Sequence, residues 1–378
     1  MPQRPLRILI SGGGTGGHIF PAIAIANAVK ESAPGSQFLF VGAEGKMEME
    51  QVPAAGYAIT GLPIRGFQRR ALWKNIGLPW RVLRSMWKAR RIVRSFAPEV
   101  AVGVGGYASG PVLAAAQRAK VPTLIQEQNS HAGATNRMLA KRADIICVAY
   151  PGMDRYFPAG KIRLTGNPVR QEMVRLAGKR PRGMEHFQLR EDRPVVLVTG
   201  GSLGARGINL GIAAALATLR DQGVQLIWQT GTPFHAQALA AVQEAGYADA
   251  QVHAFITRMD LAYAVADLVV ARAGAISVSE LCLNRLPCIL VPLPTAAEDH
   301  QTSNARALAD RGAALLVKDA AATEELGPAL LRLVGNPAER DRLRQAMEQL
   351  GISNAAEAIA AEVVRLALSN ASTNPAAS

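Results

Sequence analysis

A histidine directly follows a glycine-rich loop in "SGGGTGGHIFP", residues 11–21, and its position raises the question of what His18 does there. Gly12, Gly14 and Gly17 fit G-x-G-x-x-G, in which the missing side chains let the backbone turn tightly and its N–H groups face an anion at a helix start. Imidazole titrates near neutrality, so His18 suits a general base, and the positive end of the following helix favours its neutral, proton-accepting form. Capping the helix or hydrogen-bonding a phosphate is the simpler use of the same side chain. A nicotinamide-binding loop would want an acid roughly 20 residues further on to hold a ribose. The acid nearest the end of the second strand, "SQFLFVG", is Glu44, which stands beyond that spacing and is followed by Gly45, leaving dinucleotide binding a lesser alternative.

A second loop, "TGGSLGARGIN" at 199–209, supplies Gly200, Gly201, Ser202, Gly204 and Arg206 between a strand and a helix, a setting that holds a diphosphate. In "ARAGAISVSE", 271–280, Arg272 and a Gly274-Ala275 turn precede Glu280, whose carboxylate can accept two hydrogen bonds from a ribose. "PLPTAAEDHQTSNA" adds Asp299, His300, Gln301 and Asn304, groups suited to sugar hydroxyls. Each of these is as readily a cap or a turn as a ligand; their recurrence after strand ends is what points to a site. Neither half contains the G-x-x-x-x-G-K-[ST] of an ATPase loop.

The elements that must position these residues are read twice along the chain. "LRILIS", "QFLFVG", "EVAVGVG", "VPTLIQEQ", "ADIICVAY" and "KIRLTGNP" are strands of the first half, and "PVVLVTGG", "VQLIWQTG", "QVHAFI", "DLVVARAG", "PCILVPLP" and "AALLVK" of the second, with helical stretches between. Two doubly wound parallel sheets follow, an α/β architecture in which ligands bind beyond the carboxyl ends of the strands, so two such domains are expected to share a cleft. Residues 166–194, rich in charge, Pro and Gly, read as linker and hinge.

At 378 residues the chain suits two domains, and 49% hydrophobic with 5% aromatic residues suits Ala-, Val- and Leu-rich α/β layers. No apolar run approaches a membrane span, no signal peptide is expected, and Cys147, Cys282 and Cys288 lack metal-ligand spacing, which points to core residues of a reduced cytoplasmic protein. The net charge of +13 is concentrated between Gln51 and Pro98, where no acid occurs. There Arg65, Arg69, Arg70, Lys74, Arg81, Arg84, Lys88, Arg90, Arg91 and Arg94 accompany three of the four tryptophans, Trp73, Trp80 and Trp87. Pro79 suits a helix start, which puts Trp80, Leu83 and Trp87 on one face beside Arg81, Arg84 and Lys88. That surface suits an anionic membrane; an ordinary core helix and a nucleic-acid surface are the competing readings.

"GGGTGGHIFPA", "GVGGYASGP", "QEQN", "LTGNPVR", "GGSLGARGIN", "ARAGAISVSE" and "DHQ", in this order, resemble the MurG family of peptidoglycan glycosyltransferases, glycosyltransferase family 28. The resemblance implies a GT-B fold of two Rossmann-like domains. Residues 1–166 would form an acceptor- and membrane-binding domain, joined by a last helix over 353–368, and residues 167–352 a donor domain; 369–378 is expected to be a disordered tail. It implies UDP-N-acetylglucosamine contacts from Thr15, Gly16, Gly17, Asn129, Arg170, Ser202, Ile256 (uracil), Ala275, Ile276, Ser277, Glu280 (ribose) and Gln301. Gly14, Gly105, Gly106 and Tyr107 would meet the acceptor diphosphate, and Arg272 and Tyr107 are further contacts. "QEQN" departs from the family's usual His at Gln126.

The implied reaction joins N-acetylglucosamine to lipid I. An α-linked donor and a β-linked product call for one inverting displacement, with His18 as base and Glu127 as runner-up. No D-x-D motif lies at a strand end, so helix N-termini, Ser202 and Arg170 are expected to stabilise the leaving diphosphate without metal or cofactor. Partners would be the two substrates, the anionic cytoplasmic face of the inner membrane and cell-wall synthesis proteins, but no nucleic acid. A transferase for another lipid such as diacylglycerol, and a nucleotide-sensing nucleic-acid-binding protein, are the rivals.

Overall fold

The computed structural model describes residues 4–65, 78–174 and 176–373. They form two compact units, one reaching to Arg170 and resuming at Asn354, the other Gln171–Ser353.

The first unit contains β1 (Arg7–Ser11), β2 (Gln37–Ala43), β3 (Ala58–Leu62), β4 (Val100–Gly103), β5 (Thr123–Glu127), β6 (Ile145–Val148) and β7 (Ile162–Leu164). Around them lie α1 (Gly16–Ser32), α2 (Glu48–Ala54), α3 (Leu78–Phe96), α4 (Ser109–Arg118) and α5 (Ala134–Ala140). The strands are parallel in the order β3-β2-β1-β4-β5-β6-β7, so the order reverses between β1 and β4. Neighbouring connections leave the sheet in opposite directions there, opening a crevice at the strand ends. Both glycine loops of this unit, Gly12–Gly14 and Gly105–Gly106, start at that point.

The second unit opens with α6 (Gln171–Val174) and α7 (Arg180–His186). Its parallel sheet runs β10 (Ala250–His253), β9 (Gln225–Gln229), β8 (Val195–Thr199), β11 (Leu268–Ala271), β12 (Cys288–Leu290) and β13 (Leu315–Leu316). The reversal falls between β8 and β11, the strands that lead into "GGSLGARG" and the Gly274 turn. Helices α8 (Arg206–Asp221), α9 (Thr232–Glu244), α10 (Met259–Val265), α11 (Ala275–Leu283), α12 (His300–Ala309), α13 (Ala322–Val334) and α14 (Pro337–Glu348) complete it. The last helix, α15 (Ala355–Thr373), returns to the first unit and packs along α1 through Ile359, Val363 and Leu366.

Four expectations need correction. β3 was not among the expected strands; its sequence, with Gly61 inside and Pro63 beyond, shows no long apolar run, and it forms by pairing with β2 at the sheet's edge. The 166–194 stretch is no free linker. From Gln171 on it belongs to the second unit: Met184 and Phe187 are buried, Gly183 lies against α10, and Lys179 pairs with Asp260 at 2.9 Å. The tail is helical to Thr373, held in part by Asn370, whose amide donates to the Glu99 carbonyl. The core reading of the basic helix fails for Trp80 and Trp87, which are 73% and 76% exposed.

All three cysteines are buried, and burial pushes the Cys147 and Cys282 thiols up to about 12. Among the described residues no helix is long and apolar enough to cross a membrane.

Candidate functional site

In the first unit, β1 ends at Ser11, whose hydroxyl donates to the Val41 carbonyl, and the chain turns through Gly13 and Gly14 into α1. Thr15, Gly16 and Gly17 form the helix start. His18 is half-buried, with its Nδ1 3.2 Å from the Thr15 hydroxyl. Its ring lies over the second loop: a Cβ on Gly105 would stand 2.9 Å from both Nε2 and Cδ2. Gly105 and Gly106 have φ of +90° and +83°, which favour glycine on backbone grounds as well. The Arg170 guanidinium stacks over the Phe20 ring at 5.1 Å, next to this helix start.

Two expected roles are corrected by hydrogen bonds already made. Glu127, 2% exposed, accepts from the Asn129 N–H and side-chain amide through Oε1, and from the Gly133 N–H and Asn136 amide through Oε2. A carboxylate that accepts from four donors at 2.8–3.2 Å is engaged on both oxygens in ordering its loop, which fits a structural role better than that of runner-up base. The Gly14 N–H, expected to face a diphosphate, donates to Glu48 Oε2 at 3.0 Å. Gln126, the departure from the family pattern, is fully buried. It donates to Asn167 Oδ1 and accepts from Gln128, which in turn donates to the Val104 carbonyl just before Gly105.

Beside the loops a cavity of about 550 Å³ is lined by Gly13, Gly14, Glu44, Lys46, Arg65, Arg81 and Tyr107. Arg81 belongs to α3, which also exposes Trp80, Leu83, Arg84 and Trp87, while Lys88 pairs with Glu44 at 3.0 Å. Arg69, Arg70, Trp73 and Lys74 lie outside the described residues.

In the second unit Ser202 is exposed on the loop between β8 and α8. Gln229, which sequence reasoning missed, ties this region together from the end of β9. It donates to the Thr199 hydroxyl and the Gly201 carbonyl and accepts the Ile256 N–H at 2.8 Å. Its signal was a polar residue ending an apolar strand, "LIWQ". Ala275, Ile276 and Ser277 form the first turn of α11, and Glu280 is 6% exposed with the Tyr263 hydroxyl donating to its Oε2 at 3.2 Å.

Two neighbours expected at the ligand serve the frame instead. Arg272 donates to the Val291 and Pro292 carbonyls and pairs with Asp319 at 2.6 Å, and Asn304 is buried against the Ala273 carbonyl. Gln301 accepts the Leu293 N–H, just after Glu298 and Asp299, two successive residues at φ near +54° and +53°. Such backbone strain is commonest at ligand sites.

Known proteins match this frame end to end. The glycosyltransferase family 28 N-terminal domain matches residues 8–148 and the family's C-terminal domain residues 195–362. A Bacteroides fragilis protein is 53% identical over 96% of both chains. One from Bacteroides thetaiotaomicron is 52% identical over 97% of this chain and 99% of its own. Both are named UDP-N-acetylglucosamine--N-acetylmuramyl-(pentapeptide) pyrophosphoryl-undecaprenol N-acetylglucosamine transferase. The crystal structure of Acinetobacter baumannii MurG covers 96% of this chain and all of its own, with a TM-score of 0.78 and 29% identity. A UDP-GlcNAc 2-epimerase from Neisseria meningitidis, 14% identical with a TM-score of 0.67, shares the fold alone. With a parallel doubly wound sheet in each unit, glycine loops at both reversal points and both family domains in sequence order, the chain is a GT-B enzyme belonging to glycosyltransferase family 28.

Proposed function

We propose that the protein transfers N-acetylglucosamine from UDP-N-acetylglucosamine to the 4-hydroxyl of the N-acetylmuramyl unit of lipid I, forming lipid II with inversion at the anomeric carbon. The observation that carries this reading is 53% identity, over 96% of both chains, with a relative named for that transfer.

His18 is the base of this reading. With the proton on Nδ1 and donated to Thr15, Nε2 is the nitrogen that takes the acceptor's proton as the glycosidic bond forms. The bond to UDP breaks in the same displacement, and its diphosphate is received by the Gly200–Gly204 loop, Ser202 and the start of α8, where dipoles are fixed before charge develops. Thr15, Gly16, Gly17, Asn129, Arg170 and Gln301 complete the donor contacts. Glu280, oriented by Tyr263, holds the ribose beside the Ala275–Ser277 turn. Since the Ile256 N–H is bonded to Gln229, Ile256 meets uracil through its carbonyl or side chain.

The acceptor's diphosphate occupies the cavity, where Lys46, Arg65 and Arg81 supply positive charge and Tyr107, which follows Gly105 and Gly106 in the chain, borders it. α3 rests on the anionic cytoplasmic face of the membrane, with Trp80, Leu83 and Trp87 at headgroup depth and each nearby cation adding about 1 kcal/mol. The same helix thus contributes both to the membrane surface and, through Arg81, to the cavity, which suits an acceptor anchored in lipid.

UDP release from UDP-N-acetylglucosamine tests the reading, measured with and without a short-chain lipid I analogue, with EDTA in both arms. Release is expected only with the muramyl acceptor, and to survive EDTA. Release with diacylglycerol in place of the muramyl lipid, or none with either acceptor, would overturn the assignment of acceptor.

A further inference from the structure

The first glycine loop already encloses an anion, and the anion belongs to the protein. Glu48, the first residue of α2, is 1% exposed. Its Oε1 accepts the Ala43 N–H at 2.9 Å and its Oε2 the Gly14 N–H at 3.0 Å. A Cβ on Gly13 would overlap Oε1, and one on Gly42 would overlap Cγ, so the backbone closes on this side chain from two directions. The opposite side of Gly13 meets the second loop, where a Cβ on Gly106 would overlap the Gly13 carbonyl. Gly105, the next residue back, lies under the His18 ring. Carboxylate, first loop, second loop and imidazole therefore form successive layers whose glycine contacts leave no space for a methyl group.

We infer that Glu48 is a positioning residue for the transfer: it locks the two glycine loops together and so sets where His18 stands. The inference rests on the role given to His18 above. A substrate phosphate at the inner amides of this loop would confront a buried carboxylate of its own sign. The G-x-G-x-x-G spacing here accommodates a protein side chain, and the acceptor's charge is met by the cations across the cavity.

Glu48→Gln tests this, because it keeps the volume but puts an NH₂ where a carboxylate oxygen faced a backbone N–H, so two donors meet. Displacements of about 1 Å at a reacting group cost up to ~100-fold, so kcat is expected to fall by roughly 30-fold or more. KM for UDP-N-acetylglucosamine should stay within about twofold. In the folded variant the His18 imidazole resonance, assigned by its absence in His18→Ala, should move, a change that a loss of stability alone would not produce. Should Glu48→Gln not fold, Glu48→Asp, which keeps the charge but falls one methylene short, is expected to give the same shifts.

A folded Glu48 variant with wild-type kcat and an unmoved His18 resonance overturns the inference. Failure of the reaction reading is seen separately, as wild-type protein that releases no UDP with the muramyl acceptor. The resonance still decides the positioning claim in that case.

Discussion

His18 has one ring nitrogen engaged by Thr15 and the other poised over a glycine that can offer no side chain. On the proposed reading, replacing His18 with Ala removes the base but no donor-domain contact, so turnover should drop about a hundredfold or more with donor affinity nearly intact. Single-turnover kinetics beside a UDP-binding titration separate the two; lost binding with modest change in turnover would make His18 a ligand residue. Tyr263→Phe removes a hydroxyl worth roughly 1 kcal/mol from the Glu280 carboxylate, so KM for the donor should rise about fivefold while kcat holds. Unchanged donor KM would mean that Glu280 needs no such support. The placement of the glycine loops, His18 and Glu280 after strand ends was legible in their types and spacing. Glu48 and Gln229 were not, because each acts across neighbouring strands: Glu48 reaches back to β2 and the first loop, and Gln229 joins the ends of β8 and β10. A polar residue ending "LIWQ" singles out Gln229 without showing which strands it joins, and no local pattern marks Glu48.

Among the elements, α3 and α7 show how charge can mislead or inform. Trp80 and Trp87 are exposed, so changing both to Ala should leave the melting temperature nearly unchanged while weakening binding to vesicles of anionic lipid by roughly tenfold or more. Co-sedimentation at low and high salt is the measurement, and undiminished binding would move the membrane surface elsewhere. The charged stretch around α7 read as a hinge because it shows no strand pattern, yet its charges are its attachment. Asp260 is held well below the usual carboxylate range by hydrogen bonds from Arg258 and then Lys179.

A depressed carboxyl contributes stability at pH above its ordinary value of 3.8, and that stability is lost as pH falls below it. Asp260→Asn should therefore cost about 1–3 kcal/mol near neutrality and converge on wild type in acid, as urea melts across pH would record. A constant difference at every pH would place the effect in packing instead. β3 escaped notice for another reason: an edge strand needs one partner only, and its residues need not form a continuous apolar run.

Across the whole molecule, two doubly wound parallel sheets were readable from repeated strand-and-helix alternation, but the return of α15 came from resemblance alone, since an amphipathic helix does not announce which surface it covers. In α15, Ile359, Val363 and Leu366 are buried in the core of the first unit. At ~1.5–3 kcal/mol for each such side chain, their removal costs about 5–9 kcal/mol, comparable with the stability of a typical domain. A chain ending at Ser353 should thus be cut by protease throughout its first 170 residues while a fragment over 171–353 survives. Equal resistance of both parts would show that the first unit stands without its last helix.

That return has a consequence for biosynthesis. As the chain leaves the ribosome, the face of α1 that α15 covers has no partner until the whole second unit has been made. At ~5–20 residues per second this is an interval on the order of ten to forty seconds. During it, that apolar face of α1 lies open on the nascent chain, a binding site for chaperones and for other unfinished chains. The first unit is begun first and finished last, so a stall or premature stop anywhere in the second unit yields a protein with both glycine loops of the first unit synthesised and its core incomplete.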